Sequence, residues 1–528
     1  MIRRLSARLL ALALALAAPA FARADVVSAR ADKVAVTIYR DGPLDSDEYD
    51  DTRGLAFVVE SREVDLPAGR SRVKLQGVAD GIIPESAAVG GLPGAQVERN
   101  FDYDLLGPGS LIARSVGKPV KLVRTNAKTG QASEETAILR SGPDGVVLDF
   151  GGGRVEALHC SGAPEKLVFD HAPPDLAATP TLSVLVDAPA PGHYRLTLSY
   201  LTVRMNWAAD YIARIAPDGK SLSLSGWITL ANHTAMSFAD APTAVVAGRL
   251  SRVEVDLPDT STPGVSLSCW PLGNSHHPSP PQPLPPPPPA YAASPVAAGR
   301  AETVEDLVVT AEKRVSETRL GDYRLYSLVE PTTVAARQTK QVAFLEQPKV
   351  TFETLYAIMV AGTDSPAVDA DAQVGHAETV LRFDNKPERG LGRGLPSGVV
   401  RVLQPGPGGA PLLVGEPALE RDVPVGEPFE LKLGEATDVN ATQRVTDVKV
   451  SHRGRTTRTR ASYEVVVTNA KATPVIAEVR HFRDDVAGFR VTAESDRHGT
   501  KAGDPLWRLV LPAGGQRTLT YAVEYDEP

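Results

Sequence analysis

Apolar and polar residues alternate with a period of two along most of this chain, and glycine or proline breaks each run before it reaches helical length. Val34, Val36 and Ile38 alternate with Ala35, Thr37 and Tyr39; Leu196, Leu198 and Tyr200 do so with Thr197 and Ser199, and residues 221–230 repeat the pattern. A period of two puts successive side chains on opposite faces of a pleated strand, so each run reads as a half-buried strand. Gly and Pro supply 44 residues each of the 528, a density that favours short strands and turns over long helices. A chain this long also exceeds one hydrophobic core, at about 150 residues per domain. The predicted fold class is therefore mainly β and multi-domain, with tandem antiparallel β-sandwich-like modules and a small inserted β-barrel or meander.

The first residues predict export. Arg3, Arg4 and Arg8 form a positive start, residues 9–18 an apolar stretch, and Ala22-Arg23-Ala24 a small-x-small cleavage site before Asp25. The apolar stretch falls short of the roughly 20 residues that span a bilayer, and no later run reaches that length. A cleaved signal peptide over residues 1–24 implies a periplasmic or secreted product with no membrane span in the mature chain. Its removal deletes four arginines and no acids, so 52 basic face 64 acidic groups and the net charge moves from -8 to -12. Generic nucleic-acid binding needs a cationic footprint and is not expected.

Punctuation divides the rest. Residues 25–115 read as an N-terminal β-domain, in which residues 56–66 and 73–75 form a hairpin through Leu66-Pro67-Ala68-Gly69. Over 116–165, Lys128-Thr129-Gly130, Gly142-Pro143-Asp144-Gly145 and Gly151-Gly152-Gly153 separate short strands of a small barrel or meander. Residues 166–270 begin a β-sandwich that resumes over 301–435, and 436–528 form a C-terminal sandwich. Between the first two parts, 271–300 is a proline-rich segment in which few large apolar groups remain, so a disordered loop or stiff spacer is expected. At the C-terminus, Trp507, Leu509 and Leu511 lead through Pro512-Ala513-Gly514-Gly515 to Leu519, Tyr521, Val523 and Tyr525, a second predicted hairpin that reuses the Leu-Pro-Ala-Gly element.

Chemistry-bearing candidates are few. Cys160 and Cys269 are the two cysteines; an oxidising compartment permits a disulfide that closes about 110 residues and contributes about 4–5 kcal/mol, and two buried thiols are the alternative. The acids Asp41, Asp45, Asp47, Glu48, Asp50 and Asp51 depart from the calcium-loop pattern, because Tyr49 takes a ligand position, and read as a solvated loop. His276-His277 is not a complete metal set, so no metal and no cofactor are assigned. Trp207 and Trp227 read as core at strand spacing, against a carbohydrate platform. Asp306-Leu307-Val308-Val309-Thr310-Ala311-Glu312-Lys313-Arg314 is similar to the energy-coupling box of outer-membrane receptors but reads as an ordinary strand. Arg453, Arg455, Arg458 and Arg460 form the sharpest cationic cluster in an acidic chain. On a strand, Arg453 with Arg455 and Arg458 with Arg460 would grip phosphate or carboxylate groups; a solvated strand edge is the alternative.

An ordered series in the second half carries a family resemblance. Leu320-Gly321-Asp322-Tyr323-Arg324-Leu325-Tyr326 precedes residues 333–342, then Phe383-Asp384-Asn385-Lys386-Pro387, Gly390-Leu391-Gly392, Leu395-Pro396-Ser397-Gly398, Pro424-Val425-Gly426-Glu427 and residues 433–439. Together these resemble exported bacterial proteins carrying domain of unknown function 4139, the domain shared with mucoidy-inhibitor-like proteins. The resemblance implies an exported, β-rich, multi-sandwich protein and brings no established activity or catalytic residue. Two features depart from it: no long charged heptad region is present, and Asn232-His233-Thr234-Ala235-Met236-Ser237-Phe238 replaces the more usual glycine-acid-tryptophan pattern.

No Gly-x-Ser-x-Gly elbow, His-Glu-x-x-His helix, phosphate loop or dinucleotide fingerprint appears. The expected function is a non-enzymatic structural or binding protein of the cell envelope, with another protein or an envelope polymer as partner. The alternative is an envelope polysaccharide or peptide hydrolase with an unrecognised carboxylate site.

Overall fold

The computed structural model describes residues 24–40, 54–102, 105–126, 128–141, 145–158, 165–173, 176–248, 250–251, 314–360, 368, 373–453, 456–482 and 486–527. The protein is mainly β, with multiple sheets consistent with a multi-domain sandwich-like fold. Cys160, Cys269, the acidic residues 41–51, His276-His277, the proline-rich segment and residues 306–313 lie outside the described residues.

One body is built from three sheets. A seven-stranded sheet runs in the order Val315–Leu320, Tyr323–Leu328, Thr243–Ala247, Lys33–Tyr39, Leu55–Leu66, Gly192–Thr202 and Ala88–Gly90. A four-stranded sheet holds Ala24–Ser28, Gly69–Gln76, Thr181–Ala188 and Gln96–Asp102. A third orders Gln338–Thr351, Ser221–Asn232, Met205–Ile215, Gly398–Pro405 and Pro411–Gly415, with Ala418–Leu419 also on Gly398–Pro405. Their inward positions share one core that includes Val36, Val58, Leu75, Val184, Leu198, Tyr211 and Leu230. Strands from the segments 25–115, 166–270 and 301–435 thus mix in one sheet and one core. The alternation identifies a strand but leaves its neighbour unspecified, because most pairs are distant in sequence.

This core encloses a charged network. Arg62 is fully buried beside Glu60, with Nη2 at 2.6 Å from Oε2. Tyr200 donates its hydroxyl to Glu60 at 2.8 Å, and Arg62 donates to the Ser28 carbonyl at 3.1 Å. Every partner is enclosed by apolar sheet faces, so the network serves register and packing.

The predicted small module is a five-stranded sheet, Arg154–Ala157, Val147–Gly151, Ala132–Leu139, Pro119–Thr125 and Glu165–Val168. It has its own small core, to which helix Pro108–Ala113 contributes Ile112 beside Val120, Leu122, Leu139 and Leu148. Gly151, Gly152 and Gly153 all have positive φ and form a turn between two paired strands.

A nine-stranded sheet forms the C-terminal body in the order Ala487–Glu494, Gln516–Glu527, Thr456–Asn469, Pro428–Arg453, Gln373–Asp384, Glu353–Val360, Val475–His481, Asp504–Leu511 and Gly499–Lys501. Its inner face packs Tyr463, Val465, Val479, Trp507, Leu509, Tyr521 and Val523. The boundary expected at 435 and 436 falls inside the single strand Pro428–Arg453.

Both predicted Leu-Pro-Ala-Gly hairpins are corrected. Leu55–Leu66 and Gly69–Gln76 lie in different sheets, and Asp504–Leu511 and Gln516–Glu527 stand far apart in the nine-stranded order. In each case the two strands turn their apolar faces toward a common core: Leu66 and Val73 share one, and Trp507 stacks near Tyr521 with ring centroids 4.3 Å apart. The element is an arch that carries the chain across the core from layer to layer. Its fourth residue, Gly69 or Gly514, has φ of 89° or 60°, the left-handed geometry that glycine adopts without a Cβ penalty.

Candidate functional site

The outer face of the nine-stranded sheet is charged where it meets Ala418–Leu419. Alternation in Val475–His481 sends Ala477 and Val479 into the core and Glu478 and Arg480 outward. On neighbouring strands Arg382 stands directly opposite Glu430, and Glu478 opposite Arg508. These side chains, with Lys501 from the short edge strand Gly499–Lys501, line or back a cleft of about 760 Å³. Pro417, Leu419, Phe429 and Leu506 supply its apolar wall, and Glu420, Arg421 and Lys432 line it as well.

Arg382 is the hub. Its Nη1 and Nη2 reach the two carboxylate oxygens of Glu478 at 2.6 and 2.7 Å, and its Nε and Nη2 reach Glu430 Oε1 at 3.0 and 2.6 Å. Arg480 Nη2 lies 2.8 Å from Glu478 Oε2 and 3.3 Å from both oxygens of Glu430. Lys501 donates to Glu430 Oε2. Arg480 Nε is buried without a hydrogen-bond partner. Arg508, which pairs with Glu353, comes within 4.0 Å of Glu478 Oε1.

The charge states follow from these contacts. Burial raises the Glu430 pKa, but hydrogen bonds from Lys501 and Arg382 and the charge of Arg480 outweigh it and bring it down to about 2. Glu478 is also lowered: burial opposes the shift, and Arg382 and Arg480 overcome it. Burial lowers the Lys501 pKa, with Glu430 pulling the other way. Three cations, Arg382, Arg480 and Lys501, thus surround two ionised carboxylates; Arg508, Arg421 and Lys432 are paired with Glu353, Glu427 and Glu378, and Glu420, which also lines the cleft, brings the charges into balance. Neither Glu430 nor Glu478 keeps a proton at neutral pH, so neither is poised as the carboxylic general acid that glycoside hydrolysis uses.

The sequence candidates fall elsewhere. Arg455 and the cysteines lie outside the described residues. Arg453 ends strand Pro428–Arg453, opposite Thr456 of the returning strand, while Arg458 and Arg460 lie on Thr456–Asn469. Arg453 thus lies on one strand and Arg458 and Arg460 on its antiparallel partner. Arg458 forks onto Asp526 at 2.7 and 2.9 Å, and its pKa is raised by that hydrogen bond. Its guanidinium is engaged by an internal carboxylate. Trp207 is core: it is nearly fully buried, and its Nε1 donates to the Val246 carbonyl at 3.1 Å.

Three stretches of the family-like series, at residues 383–387, 390–392 and 424–427, meet at Asn385, which is fully buried. Its Nδ2 donates to the carbonyls of Arg393, Val423 and Pro424, its Oδ1 accepts from Gly392 N, and its own carbonyl accepts from Gly426 N. One carboxamide thus ties the loop after Gln373–Asp384 to the loop before Pro428–Arg453. Beside them, Asp422 accepts from Arg40 at 2.9 Å and from Ser397 N at 2.7 Å, and the Arg40 guanidinium lies 4.3 Å from the Trp207 ring centroid.

Sequence reasoning missed Arg382, Glu430, Glu478, Arg480 and Lys501. The visible signal was two charged residues at the outward positions of an otherwise apolar strand, Glu478 and Arg480; their partners come from strands tens of residues away. Among the described residues no cluster of three or more His, Cys, Asp or Glu could hold a metal, and no helix is long and apolar enough to cross a membrane. No protein-family model matches the chain, and no curated protein matches it in sequence.

Proposed function

We propose that this is an exported, non-enzymatic binding protein of the cell envelope, akin to the mucoidy-inhibitor-like proteins it resembles, and that the Arg382–Lys501 cleft receives a carboxylate-bearing segment of another protein or an envelope polymer. The observation that carries this reading is the convergence of three cations, Arg382, Arg480 and Lys501, on one half-buried cluster beside an apolar wall. An incoming carboxylate would accept charge-assisted hydrogen bonds from these cations, with Lys501 the most exposed of the three, while the apolar wall of Leu419, Phe429 and Leu506 covers the rest of the ligand. The acidic mature chain repels polyanions at long range, which favours one seated carboxylate over an extended coat of them.

The test is parallel affinity capture from the protein's own envelope with the wild type and Lys501→Glu, with free polyglutamate as competitor. A partner retained by the wild type, released by competitor and lost in the variant supports the reading. Equal capture by both proteins contradicts it. The hydrolase alternative rests on the meeting of Glu430 and Glu478 in one cleft, and it requires polymer cleavage by the wild type that Glu430→Gln abolishes.

A further inference from the structure

The small five-stranded module carries a further cavity. Its edge strand Glu165–Val168 pairs with Pro119–Thr125, and the period of two continues past the strand, so Leu167 and Phe169 share the face that packs against the module's core. Helix Pro108–Ala113 lies against the same core through Ile112, and Leu111, about 100° round the helix from it, stays half-buried. The helix and the strand edge line a groove of about 710 Å³, whose apolar wall is Leu111, Ile112, Val146, Leu158, Leu167 and Phe169. That volume falls within the range of about 300–1,000 Å³ that holds one small ligand.

The polar groups along the groove are unequally engaged. Glu165, which also lines it, is held by Arg124, with Nε at 3.0 Å from Oε1, and Asp170 of the same stretch stands 3.7 Å from Lys121. Lys166 and His171 line the groove, are exposed, and make no ion pair or side-chain hydrogen bond among the described residues. The apolar wall therefore ends in an ammonium group and an imidazole with donors to offer, while the nearby acids are committed to other cations.

We propose that this groove binds a single-chain fatty acid, its acyl chain along the apolar wall and its carboxylate at Lys166 and His171. An acyl chain brings no backbone N–H or C=O groups that need partners, whereas a peptide segment laid along the same wall carries them at nearly every residue. The wall supplies affinity in proportion to the apolar area it covers, and the exposed ammonium chiefly selects the head group. The groove belongs to the five-stranded sheet and is separate from the Arg382–Lys501 cleft of the nine-stranded sheet.

Calorimetric titration of the protein with dodecanoate, below its micelle concentration, and separately with dodecanol, is compared among wild type, Lys166→Glu and Leu111→Trp, alongside thermal unfolding. Lys166 is exposed and Leu111 half-buried, so both variants are expected to keep a Tm near that of the wild type. The expected result is saturable binding of dodecanoate by the wild type, weakened roughly fivefold or more in Lys166→Glu and lost in Leu111→Trp, where an indole fills the groove. Dodecanol is expected to bind the wild type more weakly than dodecanoate and to be indifferent to Lys166→Glu. No binding of dodecanoate by the wild type, dodecanol bound as tightly as dodecanoate, or undiminished dodecanoate affinity in either variant overturns the proposal.

Discussion

The Arg382 guanidinium grips the Glu478 carboxylate through two parallel hydrogen bonds, Nη1 to Oε1 at 2.6 Å and Nη2 to Oε2 at 2.7 Å, on the outer face of a sheet whose inner face is a dry core. Glu478 is 1% exposed and Arg382 26%, so the pair is asymmetric: the carboxylate depends on its partner far more than the guanidinium does. Arg382→Met leaves Glu478 and Glu430 to Arg480 and Lys501 alone, and is expected to destabilise the protein by about 3 kcal/mol in urea unfolding. Glu478→Gln keeps the shape and removes one buried charge, and is expected to cost less. The reverse order would mean that Arg382 acts chiefly by packing.

Acid tests the same network. The Glu430 pKa is held at about 2 in the folded protein against 4.5 as its ordinary value, so its ionised form stabilises the fold. That contribution is complete above pH 4.5 and is lost as the pH falls through about 2, because the unfolded chain takes up the proton first. Stability measured from pH 5 to pH 2 should fall less steeply in Glu430→Gln than in the wild type. Parallel slopes would show that Glu430 carries no such shift.

The two arches give a graded glycine prediction. A Cβ at Gly69 or Gly514 meets nothing within 4 Å, so alanine there suffers only the left-handed backbone penalty, about 1–2 kcal/mol each. Gly390 also has positive φ, but a Cβ there collides with the Lys349 carbonyl oxygen. Gly390→Ala should therefore be clearly more destabilising in thermal unfolding than Gly69→Ala or Gly514→Ala. Equal Tm shifts at all three would contradict the geometry.

Asn385 joins the two loops beside the core through five hydrogen bonds, counting those of its own carbonyl and carboxamide. Asn385→Ala strips three carbonyls and the Gly392 N–H of their partner in a place without solvent, and should cost at least about 3 kcal/mol by denaturant unfolding. Asn385→Asp retains the acceptor for Gly392 but turns a negative charge toward three carbonyls, and should be no better than alanine. A near-neutral effect of either substitution would refute the tie.

These elements also mark where sequence was enough. A period of two is a property of each strand alone, so the runs at Lys33–Tyr39, Ser221–Asn232 and Thr456–Asn469 were legible, as was Trp207 as core. Pairing is a property of two strands, and the local turn does not determine it: Leu66-Pro67-Ala68-Gly69 reads as a hairpin yet spans two layers, since an arch and a hairpin both need a left-handed glycine and apolar flanks. The site failed to show for the same reason. Of the basic residues close in sequence, Arg453 lies on one strand and Arg458 and Arg460 on the strand paired with it, whereas Arg382, Glu430, Glu478 and Lys501 meet only through sheet register.

The central claim is that the Arg382–Arg480–Lys501 cluster offers cationic donors to a ligand carboxylate. It is tested most directly by calorimetric titration of the protein with short polyglutamate and with oligogalacturonate, using wild type and Lys501→Glu, with each polymer sized before and after incubation. The account predicts saturable binding of at least one polymer by the wild type, loss of that binding in the variant, and polymer of unchanged length. No binding, binding indifferent to Lys501→Glu, or shortened polymer would contradict it.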